Sequence, residues 1–217
     1  MKTKLLFFVV LSFALISARA QEMTVTADET TFGLRAGINF QNINGKDRAG
    51  NELNFSVITG FHAGLNAEMP LGSGFHIQPG VLYSLKGAQM RTTTSNNGDK
   101  IKIHYLEVPV NFIYKPILGT GNLLLGFGPY AAFGIGGKVS NREIDFTDRS
   151  TTSSAPQFRR FDAGGNLLAG YEFANNLSFQ LNTQLGMMNI RPENDQNTSD
   201  RSKWKNTGFG VSLGYRF

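Results

Sequence analysis

Residues 205–217 read Lys-Asn-Thr-Gly-Phe-Gly-Val-Ser-Leu-Gly-Tyr-Arg-Phe, and their character alternates without interruption. Thr207, Phe209, Val211, Leu213, Tyr215 and Phe217 fall on one side, and Gly208, Gly210, Ser212, Gly214 and Arg216 on the other. A helix would need apolar residues every three or four positions, whereas a period of two gathers them on one face of an extended chain. The segment predicts a strand with one oily face and one small, polar face.

The same pattern recurs along the chain over residues 31–41, 55–68, 75–86, 103–115, 122–134, 158–173 and 177–190. In the first of these Phe32, Leu34, Ala36, Ile38 and Phe40 alternate with Gly33, Arg35, Gly37 and Asn39. Phe55, Val57, Phe61, Ala63 and Leu65 define the oily face of the second, and Phe75, Ile77, Val81, Tyr83 and Leu85 that of the third. The connections alternate too: long at 42–54, 87–102, 135–157 and 191–204, short at 70–74, 119–121 and Asn175-Asn176. Eight strands joined by alternately short and long links predict an all-β fold, an eight-stranded antiparallel up-and-down barrel.

Residues 1–20 carry a basic start, an apolar run from Leu5 to Ile16 and Ala18-Arg19-Ala20, and so read as a secretory signal peptide cut after Ala20. Residues 21–30 read as a short polar lead-in and 31–217 as one barrel domain. Of 21 basic side chains Lys2, Lys4 and Arg19 leave with the leader, so 18 face 16 acidic ones and the formal charge of +5 becomes about +2. That balance, without a basic stripe, argues against nucleic acid as a partner. The chain has no cysteine, hence no disulfide framework, thiolate chemistry or lipid-modified cysteine. Beyond the leader, no apolar run is long enough for a membrane helix. Lipid satisfies no backbone N–H or C=O, so a membrane chain of this kind spans as a closed barrel.

The polar face tells a membrane barrel from a water-soluble one. It carries many glycines, among them Gly33, Gly37, Gly64, Gly128, Gly164 and Gly210, which would weaken solvated strands but make room inside a narrow barrel. The larger polar residues of that face are Arg35, His62, Glu68, His76, Lys86, Glu107, Arg160, Asp162, Glu172 and Arg216. They are expected to form an interior charge network that fills the lumen, since a buried charge needs a partner. On the oily face, Phe32, Phe75, Phe112, Tyr114, Tyr171, Phe173, Phe179, Tyr215 and Phe217 gather toward the short-turn rim, and Phe40, Phe55, Tyr83, Phe133 and Phe161 toward the long-loop rim. Two aromatic belts mark the two membrane interfaces.

Several stretches resemble a known family. Gly33-Leu34-Arg35-Ala36-Gly37-Ile38-Asn39-Phe40, Tyr105-Leu106-Glu107-Val108-Pro109, Gly128-Pro129-Tyr130, Phe161-Asp162, Gly170-Tyr171-Glu172 and Gly214-Tyr215-Arg216-Phe217 are similar to the PorT-like outer-membrane β-barrels of Bacteroidetes-type bacteria. The resemblance spans residues 31–217 and implies an outer-membrane barrel with short periplasmic turns, long extracellular loops and both termini in the periplasm. It implies no single activity: a founding member is tied to protein secretion, and that role is not carried over to this chain. The closing Phe209, Val211, Leu213, Tyr215 and Phe217 look like the terminal-strand signal read by the barrel-assembly machinery.

For chemistry, His62 and His76 fall on the polar face and His104 on the oily one, and no nucleophile motif surrounds Ser84, Ser140 or Ser212. No enzyme, cofactor or metal is expected, loop carboxylates such as Asp145, Asp148, Glu193 and Asp195 reading as solvated. Pro109, unable to donate to a ladder, is expected at a bulge, with Glu107 beside it as the partner of an inward arginine. The first functional reading is a structural and surface-interaction barrel whose loops, above all 135–157, meet protein or glycan partners, with membrane lipid around the wall. The second is a narrow channel for ions or small solutes, and the third a lipid-acting enzyme. Oligomeric state is not readable from the chain.

Overall fold

In the computed structural model the described residues are 29–91, 98–150, 154–193 and 200–217; the expected leader and most of the expected lead-in lie outside them. Eight long strands form the molecule: β1 Thr31–Lys46, β2 Ile58–Gly72, β3 Phe75–Met90, β4 Lys100–Tyr114, β5 Gly121–Val139, β6 Phe161–Glu172, β7 Leu177–Gly186 and β8 Lys203–Arg216. Each pairs antiparallel with its neighbours in sequence, and β8 pairs with β1, so the sheet closes on itself. The closing ladder runs from Gly33 opposite Arg216 to Lys46 opposite Lys203 without a slip. Two-sided strands explain the closure, because a sheet edge in lipid would leave its N–H and C=O groups unpaired.

The faces follow the alternation. Phe209, Leu213 and Tyr215 are exposed on the outer wall while Gly210 is buried and Arg216 turns inward. The short turns are tight. Between β2 and β3 both Ser73 (φ 53°) and Gly74 (φ 79°) are left-handed, the conformation a two-residue hairpin of matching twist requires. Asn176 (φ 64°) closes the β6–β7 turn, where the Phe173 amide donates to the Leu177 carbonyl.

At the opposite, loop end the strands run further than their lipid-facing parts. β1 reaches Lys46, β3 reaches Met90, β4 starts at Lys100 and β5 continues to Val139. There the oily residues turn inward: Ile43, Ala88, Ile101, Ile103, Tyr105, Tyr130, Ala132 and Val139 form a cap inside the mouth, joined by Phe158 and Ile190 from the loops. Consequently Ile190 is not the strand residue it was expected to be, since β7 ends at Gly186, and Phe158 lies not in β6, which begins at Phe161, but in the separate two-residue strand Gln157–Phe158. Nor is 135–157 simply a loop. Beyond Val139, Asp145–Phe146 pairs with Gln157–Phe158 in a small parallel sheet, and Ile144 and Phe146 pack on the cap.

Two outward assignments also change. Phe55 sits in the separate two-residue strand Phe55–Ser56 and packs edge-on against Trp204 at 5.3 Å, against the cap rather than in the lipid belt. Leu85 is buried. Pro109 causes no bulge: its ladder to Tyr130 keeps one register from Tyr105 to Tyr114. The irregularity lies at His104/Tyr105, where β5 carries the extra residue Ile135 between Gly134 and Gly136. That extra residue restores Val139 to the interior, opposite Ile101.

The cap has a built-in reporter, since Trp204 is the chain's single tryptophan and its ring lies 5.9 Å from that of Phe158. Phe158→Ala is expected to cost about 3 kcal/mol or more of unfolding free energy. Urea titration in lipid vesicles, followed by Trp204 fluorescence, should show the lower midpoint together with a red-shifted native emission.

Candidate functional site: a filled lumen and a capped mouth

Interior-facing positions of neighbouring strands bring the charged residues together in two groups. Near the turn end Glu68 of β2, Glu172 of β6, Arg216 of β8 and Lys115, just past β4, surround one another. Lys115 Nζ lies 2.8 Å from Glu68 and 2.7 Å from Glu172, and Arg216 lies 2.8 Å from Glu68 and 3.2 Å from Glu172. Each carboxylate is thus bridged by both cations. Gln78 donates to Glu68 at 3.0 Å, Arg216 also donates to the Thr31 hydroxyl, and His76 stands at the edge, 4.0 Å from Glu68.

The second group lies beneath the cap. Lys86 of β3 is fully buried, 2.8 Å from Glu107 of β4 and 3.6 Å from Asp162 of β6. Its ammonium also sits over the Tyr130 ring, 4.0 Å from the centroid. Asp162 accepts from the Asn206 amide at 2.9 Å and the Tyr130 hydroxyl at 3.3 Å, and Glu107 accepts from the Gln184 amide at 2.5 Å. Between the groups Arg35 donates to Gln180 at 3.4 Å, and His62 shares a 2.8 Å hydrogen bond with Ser212. Ile113, Leu124 and Leu168 pack together as a small apolar layer toward the turn end.

Among the described residues the interior therefore holds four cations, Arg35, Lys86, Lys115 and Arg216, against four anions, Glu68, Glu107, Asp162 and Glu172. The signs balance in number, although Arg35 bonds only the neutral Gln180 while Lys86 serves both Glu107 and Asp162. Little empty space remains: the cavity between Arg35, Asn39, His62, Ser84, Glu107 and Asn182 is about 10 Å³, room for about one water.

Arg160 does not belong to this interior. It precedes β6 and is exposed, its guanidinium stacked 4.7 Å from the Phe146 ring and 5.2 Å from that of Phe133. Phe146 packs against Gly134 at that level, taking the space the arginine was expected to fill. Lys115 was missed, although the inward parity of Tyr105, Glu107, Asn111 and Ile113 continues onto it.

The candidate chemical residues are all engaged. His104 bonds the Tyr83 hydroxyl on the outer wall. Ser84 accepts from Asn39, and Ser140 donates to Asp99 at 2.6 Å. Of the His62–Ser212 pair, both buried, His62 lines the one-water cavity.

Above the cap a cleft of about 440 Å³ opens at the loop end, its floor including Phe158 and Trp204 and its walls Arg48, Arg142, Arg191 and Asp200. The Arg191 guanidinium lies 5.0 Å from the Trp204 ring and Arg48 lies 3.7 Å from Asp200. Burial raises the Asp200 carboxyl, but hydrogen bonds from the Ser202 hydroxyl and amide, with Arg191 and Arg48 nearby, outweigh it and hold the group below its ordinary range.

Residues 20–191 match the model of the family described as outer membrane protein beta-barrel domain. No curated protein matches the chain. Among solved structures, Neisserial surface protein A is similar, with a TM-score of 0.48 and 11% identity over 88% of this chain and 100% of that one. Ail, the attachment invasion locus protein of Yersinia pestis, gives 0.44 and 14% over 88% and 100%. AlkL, solved in lipid bilayers, gives 0.39 and 13% over 92% and 96%. The match covers most of a chain whose eight long strands close into a barrel with an oily exterior, and the chain belongs to the outer membrane protein β-barrel domain family.

Proposed function

We propose that this small outer-membrane barrel is a sealed anchor which presents its loop end to partners outside the cell, with both termini in the periplasm. The observation that carries the reading is the filled lumen: four cations and four anions, an apolar cap across the mouth, and voids of only about 10 Å³ each beside His62 and beside Glu172. Moving a hydrated ion along this path would require breaking buried ion pairs, each strongly unfavourable to open. The loop-end cleft, with three arginines over an aromatic floor, is the surface offered to protein or glycan partners. The Tyr105-Leu106-Glu107-Val108-Pro109 stretch supports a PorT-like branch of the family, without a secretion role attached. Catalysis is not part of the proposal, as His62, the bonded partner of the buried Ser212, borders a void of only about 10 Å³.

Planar-bilayer recording tests the sealed lumen. The folded protein is expected to give no steady conductance. Reproducible ion-selective steps that vanish in Glu107→Ala would replace the anchor with a channel. Crosslinking on intact cells through cysteines introduced at Arg48 and Arg142 should capture surface partners, whereas labelling only after the outer membrane is permeabilised would reverse the orientation.

A further inference from the structure

The loop-end cleft holds more positive charge than its own acids answer. Arg48, Arg142 and Arg191 line it against Asp99 and Asp200. Asp99 accepts from the Ser140 hydroxyl at 2.6 Å, and Asp200 from the Ser202 hydroxyl at 2.5 Å and backbone amide at 2.9 Å. Arg48 reaches Asp200 at 3.7 Å, but neither Arg142 nor Arg191 has a carboxylate within ion-pair distance among the described residues.

Arg191 is the most firmly held of the three. Its guanidinium lies 5.0 Å from the Trp204 ring, and Asn189 ties the two residues together: the Asn189 side-chain oxygen accepts from the backbone amides of Arg191 at 3.2 Å and Trp204 at 2.8 Å. Burial, with Arg48 nearby, lowers the Arg191 pKa from its ordinary value, and Asp200 offsets this only in part. A half-buried cation, stacked on an aromatic face and lacking a bonded anion, is pre-placed to receive one.

The floor narrows what that anion belongs to. Met90, Val139 and Phe158 carry no side-chain donor, and the Trp204 indole N–H is enclosed. On the walls the Ser150 hydroxyl is already spent on Gln157, at 3.3 Å. A sugar ring lying on this floor would leave its hydroxyls unanswered. An extended peptide finds no free edge either, because the amides of Asp145, Thr147, Ser150, Arg159 and Ile190 in the loops around the cleft are all bonded to backbone carbonyls. The volume of about 440 Å³ suits a compact organic molecule.

We propose that the loop-end cleft binds a small organic acid, its carboxylate against the Arg191 guanidinium and its apolar body on the floor of Met90, Val139, Phe158 and Trp204. Arg48 and Arg142 add positive field from the walls. The inference names a ligand class for the cleft, and it rests on the loop-end reading for the cleft's position outside the cell.

The test folds the protein into phosphatidylcholine vesicles and dialyses it to equilibrium against radiolabelled cyclohexanecarboxylate, with protein-free vesicles as the blank. Saturable binding above the blank is expected, and Arg191→Gln should weaken it about tenfold or more, since a charge-assisted contact is lost. In displacement, cyclohexanecarboxamide keeps the body without the charge, and acetate the charge without the body. Each should compete about tenfold less well than unlabelled cyclohexanecarboxylate. Absence of saturable binding overturns the proposal, as does unchanged affinity in Arg191→Gln. Equal competition by the carboxamide reduces the site to an apolar crevice, and equal competition by acetate to a general anion site; either result refutes it. Should Arg191→Gln not fold, the two competitors decide on wild type alone. The cysteine labelling at Arg48 and Arg142 separates the two readings: binding in vesicles with labelling only after permeabilisation keeps the site and reverses the orientation, whereas surface labelling without binding loses the site alone.

Discussion

Replacing Lys86 by methionine is expected to cost about 3–5 kcal/mol of unfolding free energy. The ammonium is fully buried, lies 2.8 Å from Glu107 and 3.6 Å from Asp162, and covers the Tyr130 ring. Methionine keeps the length and apolar volume of the side chain, so the loss isolates the charge. What remains is two carboxylates pointed at one space with no cation between them, beneath a dry apolar cap that admits little water. Hydrogen bonds from Gln184, Tyr130 and Asn206 still reach the acids, but they neutralise nothing. The triple variant Lys86→Met/Glu107→Gln/Asp162→Asn should recover most of the loss, because neutral amides of the same shape need no counter-charge. Urea unfolding in lipid vesicles gives both numbers. If Lys86→Met lay within about 0.5 kcal/mol of wild type, as surface changes do, the group would not be acting as a buried ion cluster.

The inward parity of Lys86, Glu107 and Asp162 was legible in the chain because period two survives from one end of a strand to the other. What the alternation does not state is which face meets oil. Along β4 the residues outward of the belt are Lys100 and Lys102 and the inward ones Ile101 and Ile103; lower down Leu106 and Phe112 face out and Glu107 and Asn111 face in. The period is unchanged while the polarity inverts, because the wall leaves lipid for water just where the lumen closes under its cap. A reading that equates oily with outward therefore ends the strand at the inversion. That is why Ile43, Ile101 and Val139 fell into loops and Phe55 was assigned to the lipid belt. The bulge at Gly134-Ile135-Gly136, opposite His104/Tyr105, was hidden for a related reason: a run of glycines leaves no alternation to break. Arg160 was misplaced because a cation at inward parity has two ways to satisfy itself, and parity cannot distinguish an acid within the lumen from the aromatic faces of Phe133 and Phe146 at the loop-end rim.

Gly128→Leu is expected to abolish the folded barrel, detected as loss of the mobility difference between heated and unheated samples on a detergent gel. A Cβ at residue 128 would lie 2.0 Å from the Val110 carbonyl oxygen and 2.7 Å from the Asn111 Cα, both backbone atoms of β4. No rotamer of leucine relieves a clash made by its first carbon, so relief requires β4 and β5 to separate. Separation would break ladder bonds that lipid cannot replace, each unsatisfied group costing several kcal/mol. Even Gly128→Ala, which adds the Cβ alone, should lower the unfolding midpoint by more than Phe158→Ala does. The contrast is Gly136→Ala on the same strand, where an added Cβ meets nothing within 4 Å; it should fold with an unchanged midpoint. A pair of equal effects would mean that Gly128 serves chain flexibility rather than the close approach of two strands. The expected difference ties the glycine-rich face to the narrowness of the barrel, and that narrowness is what forces the remaining inward positions to be filled by paired charges instead of water.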